Sequence, residues 1–360
     1  MMPASMVRDI HSRFSPNPWL AVNFSMAFPG LGQFYVGEKL WGVVFMFGEL
    51  VLLAIASWSI FGATGDTVTG LVCLFLAVIV YLGNLFDAYT RATKYVAVRG
   101  SEKIPRQNKD PWFAVFITRI LPGLGHLYLE RAFFGAFFLA LIIIFSTLSS
   151  LIPHLLFLTP IISAIACYHI YTGFPQSRRS KQNWLIVIAG LVLISGVIAN
   201  YLPHWIQQKV EPFEIPSSSM FPTLQKEDKI LVRKASHYSP QPKDLIVFRE
   251  PEAMAKEPGT SQESHFVKRV IGKPGQVVRV ANGIVYINDR PLAERYINEP
   301  PGYEWGPKLV PAESYFVLGD NRNDSFDSHV WGFLPERYII GQAYKIYWPP
   351  KRIRSLVISH

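Results

Sequence analysis

Trp184-Leu-Ile-Val-Ile-Ala-Gly-Leu-Val-Leu-Ile-Ser-Gly-Val-Ile-Ala-Asn-Tyr-Leu202 runs for 19 residues without a charge. As a helix it reaches about 28 Å, close to the thickness of a bilayer's hydrocarbon core. It divides the 360-residue chain into two halves of different chemistry. Residues 1–203 hold 14 Lys/Arg and 8 Asp/Glu, whereas residues 204–360 hold 21 and 18, an ordinary soluble composition. The first half therefore reads as membrane-bound and the second as a globular domain long enough to bury its own core.

On the amino-terminal side of this stretch, four more segments have the length and apolarity of spans: roughly 40–61, 67–86, 132–152 and 154–173. With the N-terminus on the cytoplasmic side, the inner segments 1–39, 87–131 and 174–183 carry 3, 8 and 3 basic residues, among them Arg8, Arg13, Arg178, Arg179 and Lys181. The outer turns at 62–66 and 153 carry none, as the positive-inside rule requires. The span at 184–202 then delivers residues 203–360 to the extracytoplasmic side. The net charge of +9 is explained by these loops rather than by nucleic-acid binding, since no basic-aromatic platform or recognition-helix pattern accompanies it. The polar first 17 residues contain no apolar stretch and do not form a cleaved leader. Cys73 and Cys167 lie inside apolar segments and suggest neither a disulfide framework nor a metal site. Glu49 lies within a span, where a carboxylate is either paired in the bundle or functional.

The membrane half repeats itself. Asn17-Pro-Trp-Leu-Ala-Val and Phe28-Pro-Gly-Leu-Gly-Gln-Phe-Tyr35 recur 93 residues later as Asp110-Pro-Trp-Phe-Ala-Val and Leu121-Pro-Gly-Leu-Gly-His-Leu-Tyr128. Each copy ends near a Tyr-Thr pair, Tyr89-Thr90 and Tyr171-Thr172. The Pro-Gly core resembles the small two-span modules called TM2-type. Pro and Gly would interrupt a crossing helix, so 18–36 and 111–129 are expected to be short helices and turns at the inner interface or shallow re-entrant segments. Packing through glycines is the simplest role for such a module.

Carboxy-terminal to the dividing stretch, Lys229–Arg233, Asp244–Phe248, Gln276–Val280, Ile284–Ile287 and Ser314–Leu318 read as strands, with Asn282-Gly283 as a hairpin turn. A mainly antiparallel β domain follows. Four blocks within it draw attention: Phe213-Glu-Ile-Pro-Ser-Ser-Ser-Met-Phe-Pro-Thr-Leu224, Glu227-Asp-Lys-Ile-Leu-Val232, His265-Phe-Val-Lys-Arg-Val-Ile-Gly-Lys-Pro-Gly275 and Gly319-Asp-Asn-Arg-Asn-Asp-Ser-Phe-Asp-Ser-His-Val-Trp-Gly-Phe-Leu-Pro335. Singly, each is an ordinary loop or strand. Pro216 and Pro222 favour an extended backbone around the serines. A serine needs a base to become a nucleophile. His265 and His329 read as surface side chains, but Lys268 among Phe266, Val267, Val270 and Ile271 can lose its proton by desolvation.

Together and in this order, the blocks resemble the type I signal peptidases of bacteria, over about 205–350. The resemblance implies a signal-peptidase-type β catalytic domain behind a multi-pass helical anchor of about five spans. It implies Ser219 as nucleophile, Lys268 as general base, and Ser217 in the oxyanion hole with the Ser219 backbone N–H. Ser325 would orient the lysine. Asp327 and Arg322 would form a bracing pair, with Arg269 and Asp320 as further support. Ile215, Pro216, Met220, Leu224, Phe266 and Val267 would line shallow pockets for small substrate side chains. Exported preproteins would be the substrates, at a bacterial cytoplasmic membrane, with the peptidase region 203–360 outside; no metal or cofactor is implied. A narrow maturation peptidase of the same clan, for pilin-like or conjugation proteins, and a non-catalytic membrane scaffold are the alternatives. This chain departs from the family pattern in three places. Arg322-Asn-Asp-Ser325 stands where Arg-Asp-Asn-Ser is usual, Gln276 follows Gly275 where Asp is usual, and the anchor is doubled.

Overall fold

The computed structural model describes residues 16–97, 109–176, 179, 182–234, 238–251 and 265–357. Arg8, Arg13, Arg178 and Lys181, and residues 98–108 of the expected basic loop at 87–131, lie outside them. The chain divides into two compact units, Met1–Ile55 with Cys73–His204, and Ala56–Val72 with Trp205–His360.

The first unit is helical. Pro18–Ala27 (α1) and Leu31–Val36 (α2) precede the long helices Lys39–Phe61 (α3) and Thr67–Ala97 (α4); Pro111–Ile120 (α5) and Leu124–Tyr128 (α6) precede Ala132–Leu148 (α7) and Leu158–Thr172 (α8). Asn17 and Asp110 cap α1 and α5 through their side-chain oxygens, and a proline fills the first turn of each. The two Pro-Gly segments thus form short helices broken at Gly30 (φ 88°) and Gly123 (φ 104°). A Cβ at Gly30 would stand 2.1 Å from the Gly42 carbonyl oxygen, and one at Gly123 would stand 2.5 Å from that of Gly135. Glycine is required at both, for the left-handed backbone and for the close approach. The copies meet through polar contacts, one of which, Asn17 with Asp110, joins equivalent residues. Asn17 Nδ2 donates to Asp110 Oδ2 (3.3 Å), Asn23 Nδ2 to the Trp112 carbonyl (2.9 Å) and Arg119 to the Asn23 carbonyl (2.5 Å). Leu20, Phe24, Trp112, Tyr171, Leu185 and Ile188 are buried in the core of this unit.

Among the described residues, four helices of 18 residues or more are long and apolar enough to cross a membrane, Lys39–Phe61, Thr67–Lys94, Pro153–Thr172 and Asn183–Lys209, the last being α9, and Ala132–Leu148 is a shorter apolar helix beside them. The segment expected at 132–152 stops at Leu148 after 17 residues, about 25 Å. The hydroxyls of Ser149 and Ser150 turn back onto the carbonyls of Ser146 and Thr147, competing with helical N–H donors. Pro153 then opens a short 3₁₀ turn.

The second unit is built on an antiparallel sheet ordered β1-β2-β11-β3-β4-β9-β10. These strands are Val210–Glu214 (β1), Lys229–Lys234 (β2), Leu245–Arg249 (β3), His265–Gly272 (β4), Ser314–Leu318 (β9), Leu334–Pro335 (β10) and Ile339–Trp348 (β11). A short strand, Arg354–Ser355 (β12), pairs with β11. A smaller sheet joins Arg290–Pro291 (β7), Ile284–Ile287 (β6), Val277–Ala281 (β5) and Trp305–Leu309 (β8). All five expected strands are present, and Asn282-Gly283 turns between β5 and β6 with both φ angles positive (52° and 74°). Ile230, Val232, Leu245, Val247 and Ile346 fill one face of the main sheet; Ile246, Phe248, Val270 and Val317 fill another cluster. The hairpin turn between α3 and α4 belongs to this unit. Lys345 of β11, fully buried, donates to the carbonyls of Ser59 (2.7 Å) and Ile60 (2.9 Å), and the Tyr344 hydroxyl donates to that of Phe61 (3.1 Å).

Candidate active site

Ser219 leaves the sheet on a turn. Ile215 pairs with Asp228 and Glu227 through its backbone at 2.9 Å, and the chain then bends, with the Phe221 N–H donating to the Ser218 carbonyl and the Leu224 N–H to that of Met220. The extended backbone expected between the two prolines is therefore a folded one. The cause is the anchoring of Ile215, Met220 and Leu224, all buried in one core cluster, which pulls the intervening residues round and lifts the serines outward.

Lys268 comes from β4, opposite Ile246 of β3. Its side chain is 3% exposed, and its Nζ donates to Ser219 Oγ at 2.7 Å. Burial brings its pKa down from the ordinary 10.5 to about 8, against the opposing pull of Asp327, Asp320 and Asp324. The lysine is thus neutral in a useful fraction near neutral pH while bonded to a hydroxyl. Ser217 Oγ lies 3.3 Å from Ser219 Oγ.

The end of β9 closes the site. Asn321 N–H donates to the Ser219 carbonyl (3.1 Å). A Cβ on Gly319 would come within 2.4 Å of that same oxygen and 2.2 Å of Ser325 Oγ, so only glycine lets this backbone pass between the two serines. Behind it, Arg269 grips both oxygens of Asp320 (2.7 and 2.6 Å) beneath the ring of Tyr296, 4.0 Å away. A bidentate pair of this kind is both strong and directional.

Two expected contacts take another form. Arg322 does not brace Asp327; it binds Glu294 through both terminal nitrogens (2.8 and 2.5 Å) and the Gly319 carbonyl through Nε (3.1 Å). Asp327 instead caps the short helix Ser328–Trp331 (α10), accepts the Gly319 N–H (2.8 Å) and bonds His329 Nδ1 (2.7 Å). The reason is that Asp327 sits at a helix N-terminus, where backbone and imidazole donors already occupy it. His329 is accordingly not a surface side chain but is stacked on Tyr303 at 4.0 Å. Ser325 Oγ is buried without a hydrogen bond, to Lys268 or to any other described group. Of the expected pocket residues, Pro216 is exposed, Val267 packs against the cluster of Ile215, Met220 and Leu224, and Phe266 packs against that of Phe248 and Val270. Glu294, Tyr296 and Gly319 carry the site's rear wall; Gly319 to Asn321 read from the sequence as structural, whereas Glu294 and Tyr296 carry no local signal there.

A serine held against a buried lysine amine, with no histidine among the described residues bonded to either, is the constellation of a serine hydrolase of the Ser-Lys kind. Residues 182–348 match the family model described as signal peptidase, peptidase S26. Signal peptidase I of Leptolyngbya laminosa is 50% identical over 144 residues, covering 39% of this chain and 70% of the relative. Probable signal peptidase I-2 of Synechocystis is 45% identical over 188 residues, 51% of this chain and 83% of the relative. Thylakoidal processing peptidase 1 of Arabidopsis thaliana is 40% identical over 151 residues, 41% of this chain and 44% of the relative. The chain belongs to the signal peptidase I family of serine peptidases.

Proposed function

We propose that this peptidase removes N-terminal signal peptides from exported preproteins, cutting after small side chains, with Ser219 as nucleophile and Lys268 as general base. The observation that carries the reading is the 2.7 Å bond from a lysine only 3% exposed to the Ser219 hydroxyl. Neutral Lys268 takes the hydroxyl proton as Ser219 Oγ attacks the scissile carbonyl. The Ser219 N–H and the Ser217 hydroxyl receive the developing oxyanion. The protonated lysine then gives its proton to the leaving amine, and a water activated by the same lysine hydrolyses the acyl-enzyme. Pro216 and Val267 flank the bound peptide, which lies over the buried Ile215, Met220 and Leu224.

The apolar helices hold the enzyme in a membrane, with residues 203–360 as the peptidase region on the extracytoplasmic side. The confinement of basic residues to alternate loops supports this orientation. A bacterial cytoplasmic membrane is the simplest location, and a thylakoid membrane is the second reading because one relative is a thylakoidal processing peptidase. A signal helix in the same bilayer would bring the cleavage site to the enzyme by proximity.

The test is cleavage of a preprotein by the purified full chain, with the cut read by mass spectrometry. Ser219→Ala and Lys268→Ala should each reduce kcat/KM by about a thousandfold or more while the protein still folds. Near wild-type cleavage by Ser219→Ala would sink the assignment.

A further inference from the structure

Three carboxylates act on Lys268: Asp327, Asp320 and Asp324. Two of them are buried and matched. Asp320 has both oxygens on the Arg269 guanidinium, and Asp327 holds the Gly319 N–H and the His329 imidazole. Asp324 differs in both respects. It is exposed, and among the described residues its carboxylate receives only neutral donors, the Ser218 hydroxyl at 3.0 Å and the Asn321 amide at 3.4 Å. Its own N–H is tied to the Asn321 carbonyl (3.1 Å), and the Asn321 amide also holds the Ser218 carbonyl (3.3 Å). A fixed negative charge with no ion-pair partner among the described residues therefore stands on the solvent side of the residue immediately before Ser219.

We propose that Asp324 is a specificity-determining residue: its carboxylate disfavours acidic side chains, and favours basic ones, next to the scissile bond of the substrate peptide. The proposal rests on Ser219 being the nucleophile. A peptide whose carbonyl is within reach of Ser219 Oγ must carry its neighbouring side chains past Ser218, and so past the oxygen that Ser218 holds. At that range the interaction falls inside the Debye length of about 8 Å at physiological salt. Because Asp324 is held by side-chain and backbone bonds, its charge cannot swing away from an unwelcome partner. Discrimination by like-charge repulsion at a rim position is expected to be on the order of tenfold in kcat/KM. The position is also where this chain has Asn323-Asp324 in place of Asp-Asn, which moves the carboxylate onto the Ser218 side.

The experiment uses the purified full-length protein and preprotein peptides that differ only in carrying Asp, Asn or Lys immediately after the scissile bond, or in a second set at the residue before the small one. The ratio of kcat/KM for the Lys peptide to that for the Asp peptide is expected to be about tenfold in the wild type in at least one set, to shrink with added salt, to fall towards unity in Asp324→Asn and to persist in Asp324→Glu. Asp324→Asn should also move the acid limb of the pH profile to lower pH, because a charge that favours protonated Lys268 is gone. An unchanged ratio in Asp324→Asn, or a wild type indifferent to charge in both sets, overturns the proposal. Ser219→Ala is the control for the reading beneath it. Undiminished cleavage by that variant, or no cleavage by the wild type, removes the nucleophile assignment and the proposal with it, a pattern distinct from loss of charge selectivity alone.

Discussion

Lys268 is asked to give up its charge in the company of three carboxylates, and the two influences oppose one another. Burial prevails and sets the pKa at about 8. The base must be neutral to accept a proton, and the neutral form grows as pH rises through that value. The kcat/KM profile should therefore climb across pH 7–8 and level off above it; a profile flat from pH 6 to pH 9 would contradict a lysine base. Ser219 and Lys268 stood out in the sequence only through the resemblance of four ordered blocks to a known family, because a Pro-flanked serine cluster and a lysine between apolar residues are each ordinary when taken alone. The partners of Arg322 and Asp327 were not legible. Glu294 lies 28 residues from Arg322 in a separate loop, and nothing local distinguishes it from other glutamates. That Asp327 would cap a helix of four residues is likewise invisible in so short a pattern.

At the scale of elements, the strands were readable wherever apolar residues ran between turn signals, as in Leu245–Arg249 and Ser314–Leu318. Ile339–Trp348, central to the sheet, escaped because Gly341, Gln342 and Lys345 break its apolar run. Lys345 is buried there only because helix-end carbonyls receive it, a fact of tertiary structure. The helix at 132–148 was overestimated for the converse reason, since apolarity continues to Ile152 while the two serines unwind the backbone. The Pro-Gly segments are the most constrained elements of the helical unit. Gly30→Ala or Gly123→Ala places a Cβ against a carbonyl at positive φ, and each should lower the stability of the detergent-solubilised protein by about 2 kcal/mol or more. The measurement is thermal unfolding beside Gly48→Ala, where a Cβ would meet nothing within 4 Å; equal melting temperatures for all three would refute the argument.

At the scale of the whole molecule, the peptidase unit is discontinuous in sequence, since it includes the turn at Ala56–Val72. Lys345 satisfies two carbonyls at the end of Lys39–Phe61, where a cation is also favoured by the helix dipole. Lys345→Met strands those acceptors and should cost about 1–3 kcal/mol. A melting temperature of the full chain unchanged by this substitution would show that the contact does not contribute. The doubled module has a different consequence. One pair at the same place in each copy touches, Asn17 against Asp110, as residues on the axis of a two-fold interface between like subunits do. Joining both halves in one polypeptide gives each a permanently high effective concentration of the other. Pairing then no longer depends on protein abundance, and the halves are released from the obligation to stay identical. They have used that freedom in their interiors: Gln33 reaches Asp87 in the first, whereas His126 faces His169 in the second.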